Sequence, residues 1–164
     1  MPIKRREIRE SAFLLIFEKM FRQDEELDDI FMSAMEVNEI IVNDEVKKLV
    51  ENVCEKQDEI DSIISKFSNK RTVERIPKIN LAILRLAIYE AIYEENVPVN
   101  VAISEAVALA GKYALEPDVS FVNGVLGAYV RRKDSSEQAG VEEKDITNHG
   151  NAEAEKVLDA PAEA

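Results

Sequence analysis

One stretch constrains the fold more than any other. Residues 79–93, INLAILRLAIYEAIY, place apolar side chains at nearly every helical phase. A helix that is apolar almost all round is buried on several sides. Fifteen residues carrying Arg85 and Glu90 are too short and too charged to span a bilayer. The segment therefore predicts the central helix of a helical protein, with other helices packed around it.

The remaining pattern supplies those helices. Residues 4–22 recur as an amphipathic helix through Ile8, Ala12, Leu15 and Ile16, with Phe13, Phe17 and Phe21 alongside. Asp24 is the expected N-cap of a second helix carrying Leu27, Ile30, Phe31, Ala34 and Met35. Asn43 is the expected cap of a third, with Val46, Leu49, Val50, Val53 and Cys54 on one face. A bend near Lys56 precedes Ile60, Ile63, Ile64 and Phe67. A polar connection over 68–78 ends at Pro77, placed in the first turn of the central helix, where its missing N–H does no harm. Pro98 opens a helix with a small-residue face, Val101, Ala102, Ala106, Leu109, Ala110 and Tyr113. After Glu116-Pro117-Asp118, a last helix carries Phe121, Val122, Val125, Leu126, Tyr129 and Val130. Gly124 on its flank lowers helix propensity and points to a tight contact or a functional surface.

Charge divides the chain. The net charge is −12, but residues 134–164 hold nine acidic and two basic residues. They have no aromatics and few large apolar side chains, so a disordered acidic tail is expected there and a folded domain over 1–133. Over residues 4–22 the sign reverses, with six basic residues against three acidic ones. Lys4, Arg5, Arg6 and Arg9 gather where the helix dipole disfavours cations, which makes them candidates for phosphate contact as well as a solvated terminus.

Catalytic chemistry is not visible. The single histidine, His149, lies in the acidic tail, and no Gly-rich phosphate loop occurs. The single cysteine, Cys54, sits on an apolar stripe and reads as a small core residue rather than a reactive thiol. The expectation is a non-enzyme with no cofactor and no metal site. The N-terminal MPIKRREIRE lacks the uncharged apolar run of a signal peptide, so a cytoplasmic protein is expected. Glu90 is the exceptional carboxylate, because it lies on the apolar central helix. It is either structural, solvated or paired with Arg85, or part of a binding surface.

Four segments in register carry a resemblance. Arg9-Glu10-Ser11-Ala12 behind the basic start, residues 82–90 (AILRLAIYE), residues 97–106 (VPVNVAISEA) and residues 121–126 (FVNGVL) together resemble the NusB transcription antitermination family over roughly residues 4–133. The resemblance implies an all-α fold of about seven helices in two packed helical bundles around a central helix. It implies pairing with NusE, a ribosomal protein, binding of single-stranded boxA RNA in nascent transcripts, and action within the RNA polymerase antitermination complex, without a membrane role. It assigns RNA contact to Lys4, Arg5, Arg6, Arg9 and Lys112, and NusE contact to Phe17 and to Glu90 as an exposed acid. Three positions depart from the family pattern: Arg71 stands near a frequent tryptophan, Gly111 at a common lysine beside Lys112, and Gly127 at a usual acid or amide. The alternatives are a NusB-like domain of a ribosomal RNA cytosine methyltransferase and a helical interaction module without RNA binding.

Overall fold

Every residue from 80 to 91 is buried, polar Asn80, Arg85 and Glu90 included. The helix that holds them is the fifth of seven in a computed structural model that describes residues 3–69 and 71–142, with side chains described to residue 133. The helices are α1 (Arg5–Phe21), α2 (Leu27–Ala34), α3 (Asp44–Glu55), α4 (Gln57–Phe67), α5 (Lys78–Tyr93), α6 (Val99–Tyr113) and α7 (Glu116–Glu142). A single 3₁₀ turn, Val73–Arg75, lies between α4 and α5. Among the described residues there is no strand, and no helix is long and apolar enough to cross a membrane.

The central position of α5 follows from its composition. It packs on α1, α3, α4, α6 and α7, while α1 packs on α2 and α3 to form the N-terminal bundle and α6 packs on α7 in the C-terminal one. One continuous core joins the bundles, holding Phe13 and Leu15 of α1, Ile30 and Phe31 of α2, Ile83, Leu84 and Ile88 of α5, and Val122 and Leu126 of α7. Truncating a fully buried α5 residue such as Leu84 to Ala removes packing on several sides and should cost about 2–5 kcal/mol. A smaller cluster of Ala91, Val97 and Ala102 seals the α5–α6 turn.

Local signals explain most of the boundaries. Asn43 caps α3 as expected, its Oδ1 accepting the Val46 N–H at 2.8 Å. The bend at Lys56 separates α3 from α4. Pro77 sits just before the first turn of α5, as its N-cap residue, and Pro98 opens α6 from the same position. Asp24 is not a cap. α2 starts at Leu27 behind Glu26, and Asp24 lies in the preceding turn. That turn is closed instead by Lys19 Nζ, which donates to the Gln23 and Glu25 carbonyls at 3.0 and 2.6 Å, and by the Arg22–Glu25 fork. Met35 and Val101, expected on buried faces, are 54% and 39% exposed. Met35 follows the last turn of α2, beyond the stripe that Ala34 completes.

α7 continues past Lys133 to Glu142, so the helix itself does not end where the apolar seam does. The rest of the expected acidic tail, with His149, lies outside the described residues. Gly124 has open space where a Cβ would stand, which removes the tight-contact reading and leaves the surface one.

Candidate nucleic-acid interface

The start of α1 and the outer side of α6 form one charged pole. Positions 6, 9, 10 and 13 recur at helical spacing, so they share the face of α1 that meets α6. Arg6, 70% exposed at its side chain, closes a fork on Glu105, Nε to Oε2 at 3.0 Å and Nη2 to Oε1 at 2.9 Å. Arg9 Nη1 lies 3.7 Å from the same Glu105 Oε2. Further along, Lys112 Nζ donates to Glu10 Oε1 at 2.5 Å, and the Tyr113 hydroxyl donates to the same oxygen. The Tyr113 ring packs 5.1 Å from Phe13. On the opposite flank, Arg5 Nη1 reaches Glu45 at 3.1 Å and Nη2 reaches Glu94 at 3.8 Å. Lys4 is exposed, and its backbone N–H donates to Glu7 Oε2 at 2.9 Å, which also places an acid in the first turn of α1.

These pairs set the protonation of the pole. The Arg6 hydrogen bonds hold the Glu105 carboxyl below the usual glutamate value. Burial pushes Glu10 up, but the Lys112 and Tyr113 hydrogen bonds outweigh it and hold that carboxyl low. Glu10 in turn raises the Lys112 ammonium. Arg6, Glu105, Glu10 and Lys112 are therefore charged near neutrality, while the Tyr113 phenol, raised by burial, keeps its proton.

The structure places two of the residues assigned to this region in the interior. Glu90 was expected exposed, or else paired with Arg85. It is buried, 2% exposed at its side chain, and both of its oxygens accept from the fork of Arg9 at 2.7 and 2.8 Å. Arg85 is held elsewhere, by Asp61 at 2.8 and 2.9 Å. Arg9, grouped with the phosphate-facing cations, is buried with it and has its fork closed. The reason is depth along the helix: position 9 lies one turn further in, where α5 passes, while Lys4, Arg5 and Arg6 stand at the exposed start of α1.

Phe17 is half-buried in an aromatic ladder along α1, 6.3 Å from Phe13 and 5.0 Å from Phe21. The ring that the ladder presents to solvent is Phe21, 61% exposed, with Lys78 Nζ 5.9 Å from its centre. Phe21, Glu10, Glu105 and Tyr113 are the residues of this surface that sequence reasoning did not single out. Only the i, i+4 spacing of the phenylalanines was available to mark one of them. Arg71, near the place of the family's tryptophan, lies 4.9 Å over the ring of Phe121 and so covers the start of α7. Cys54 is largely buried, and burial raises its thiol pKa, so it stays protonated and poorly nucleophilic. It lines a cleft of about 520 Å³ with Lys19, Asp61 and Arg85. Among the described residues, no group of three or more His, Cys, Asp or Glu could hold a metal ion.

Among the described residues the chain is an all-helical body with a charged pole and an aromatic ladder on its first helix. Residues 6–131 match the NusB family. The chain is 41% identical over 131 residues to the transcription antitermination protein NusB of Acetivibrio thermocellus, covering 79% of this chain and 90% of that protein. It is 37% identical to the protein of the same name from Lachnoclostridium phytofermentans, covering 77% and 98%. Among solved structures it resembles T. maritima NusB, at 30% identity and a TM-score of 0.68 over 77% of this chain and 90% of that one. It also resembles a chain in a crystal structure of the antitermination factors NusB and NusE in complex with double-stranded RNA, at 32% identity and a TM-score of 0.66 over 76% and 93%. The chain belongs to the NusB family.

Proposed function

We propose that this protein is a transcription antitermination factor that pairs with ribosomal protein NusE, binds boxA RNA in nascent ribosomal RNA transcripts, and joins the RNA polymerase antitermination complex. The observation that carries the reading is the construction of α1. Its exposed start bears Lys4, Arg5 and Arg6, and its other end presents Phe21, within a chain of the NusB family. Cations at one end suit phosphates, and an aromatic ladder at the other suits a protein partner. The protein works by binding rather than catalysis, in the cytoplasm where transcripts are made. The similarity to a NusB chain found with NusE and RNA supports this assignment of partners.

The test is an anisotropy titration of labelled boxA RNA, as a single strand and as a duplex, with and without NusE. Binding that tightens when NusE is added supports the reading, and the two RNA forms identify which is recognised. A specific observation favours a second reading, an interaction module without RNA. The cations of the pole are held by carboxylates, so its local field is weaker than the residue count suggests. NusE binding with no RNA affinity at any salt concentration would establish that alternative.

A further inference from the structure

Arg5, Arg6, Arg9 and Lys112 each already hold a carboxylate, so a phosphate can reach them only by exchange. The exchange is not equally difficult at each. Opening the Arg9–Glu90 fork would strand a carboxylate in the interior. Arg6 stands in the opposite position: its side chain is 70% exposed, and only its partner Glu105, 16% exposed, is largely enclosed. The guanidinium edge that grips Glu105 is the edge that grips a phosphate, since both present two oxygens to the Nε–Nη2 pair. Releasing Arg6 would ordinarily leave Glu105 short of a cation. Here Arg9 Nη1 already lies 3.7 Å from the oxygen that Arg6 Nε holds. Glu105 is thus shared between an exposed arginine that can leave and a buried one that cannot.

We propose that Glu105 is a phosphate-mimicking latch on the RNA site. It holds the fork of Arg6 in the free protein, yields it to a backbone phosphate when RNA binds, and falls back on Arg9. This rests on the RNA-binding reading above and adds to it a means of discrimination. An isolated phosphate gains little by displacing a carboxylate already in place. A run of phosphates that engages Arg5, Arg6 and Lys112 together displaces it.

Glu105→Gln keeps the shape and removes the charge. With NusE present, it should tighten binding of a boxA oligonucleotide about three- to ten-fold at low salt. The gain should shrink as salt rises and vanish in an Arg6→Ala background. Glu25→Gln, which releases Arg22 at the far end of α1, should leave affinity unchanged. Weaker or equal binding by a folded Glu105→Gln protein overturns the latch, because Glu105 would then position Arg6 or do nothing. Inorganic tripolyphosphate separates the latch from the RNA reading. If the wild type binds no RNA but the variant gains affinity for tripolyphosphate, the exchange of Glu105 for phosphate at Arg6 stands and the RNA reading falls, taking the latch's role on RNA with it. If RNA binds and the variant gains for neither ligand, the reverse holds. Should the variant fail to fold, nitrogen resonances of the wild-type arginines decide: on adding RNA the Arg6 Nε–H signal should move and that of Arg9 should persist. A stationary Arg6 signal in the complex rejects the exchange.

Discussion

Arg9 on α1 and Glu90 on α5 meet as a closed fork in the interior, two hydrogen bonds of 2.7 and 2.8 Å between side chains 6% and 2% exposed. The pair joins the first helix to the central one across 81 residues of sequence. Burying two charges is unfavourable unless their geometry is good and their remaining sites are met. Here both carboxylate oxygens are used, and Glu105 stands near the third nitrogen of Arg9.

Replacing Glu90 with lysine leaves two cations together in a dry site. We expect a loss of about 3–5 kcal/mol in unfolding free energy, read from urea denaturation. Any loss of NusE affinity in that variant should track the unfolded fraction. An unchanged melting curve with lost affinity would instead make Glu90 an interface residue and refute the buried pair.

What could be read from the sequence was local. The central helix was legible because residues 79–93 are apolar at almost every phase, which no surface helix tolerates. The Asn43 cap was legible because its partner, Val46, is three residues away. Asp24 misled because cap propensity is local: Lys19 fixes the preceding turn by donating to its carbonyls, and α2 starts only at Leu27, behind Glu26. The charged pole was legible only by half. The cations of α1 cluster in sequence, but their acids arrive from 40, 81 and 99 residues away. Nothing in a single chain links Arg6 to Glu105 before the helices are packed. For the same reason Arg9, one turn beyond Arg5, could not be told from the exposed cations beside it.

Acid should loosen the pole. Glu105 is held below the usual glutamate pKa by the Arg6 fork, and Glu10 by Lys112 and Tyr113 against the effect of burial. Folded values below the unfolded one mean that this stability is fully present above about pH 4.3 and lost as pH falls through the folded values. Denaturant midpoints measured downward from neutrality should therefore fall less steeply below that pH in a Glu10→Gln, Glu105→Gln protein than in the wild type. Parallel profiles would show that these pairs add nothing to folding.

Gly124 separates helix stability from surface use. It lies inside α7, exposed, with no atom near the position of a Cβ. Gly124→Ala should therefore stabilise the protein by about 0.5–1 kcal/mol through helix propensity alone, seen as a higher thermal midpoint. If a ligand backbone packs on this glycine, the same variant should bind RNA or NusE more weakly. A lower midpoint would mean that the helix is constrained there in a way the open space does not show.

We propose that the folded unit ends near residue 133. Among the described side chains of α7, Val122, Val125 and Leu126 are buried and Tyr129 packs against the core, all ahead of the acidic segment. Truncation after Lys133 should shift the thermal midpoint by less than about 2 °C. A larger drop would show that the removed segment docks. Removing nine acidic and two basic residues should also tighten RNA binding at low salt and change little at high salt.

The arginines of α1 should separate into two kinds under one assay. Arg5 and Arg6 are exposed at the start of the helix; Arg5 holds the exposed Glu45, and the largely enclosed Glu105 held by Arg6 keeps Arg9 beside it when Arg6 is removed. An RNA phosphate that takes such an arginine releases counterions from the strand, so affinity depends on salt through the number of phosphates engaged. Replacing Arg5 and Arg6 with alanine should weaken binding and flatten the plot of log affinity against log salt. On a single strand the slope should fall by about 0.7 for each phosphate the protein no longer neutralises. Their thermal midpoint should hardly move, since exposed ion pairs contribute little. Arg9→Ala should behave the other way. It strands Glu90 in the core, so the midpoint should fall, while the slope measured on the molecules still folded stays that of the wild type. Slope and midpoint together thus assign each cation to the ligand or to the fold. An Arg9 variant with an intact midpoint and a reduced slope would return that residue to the RNA face.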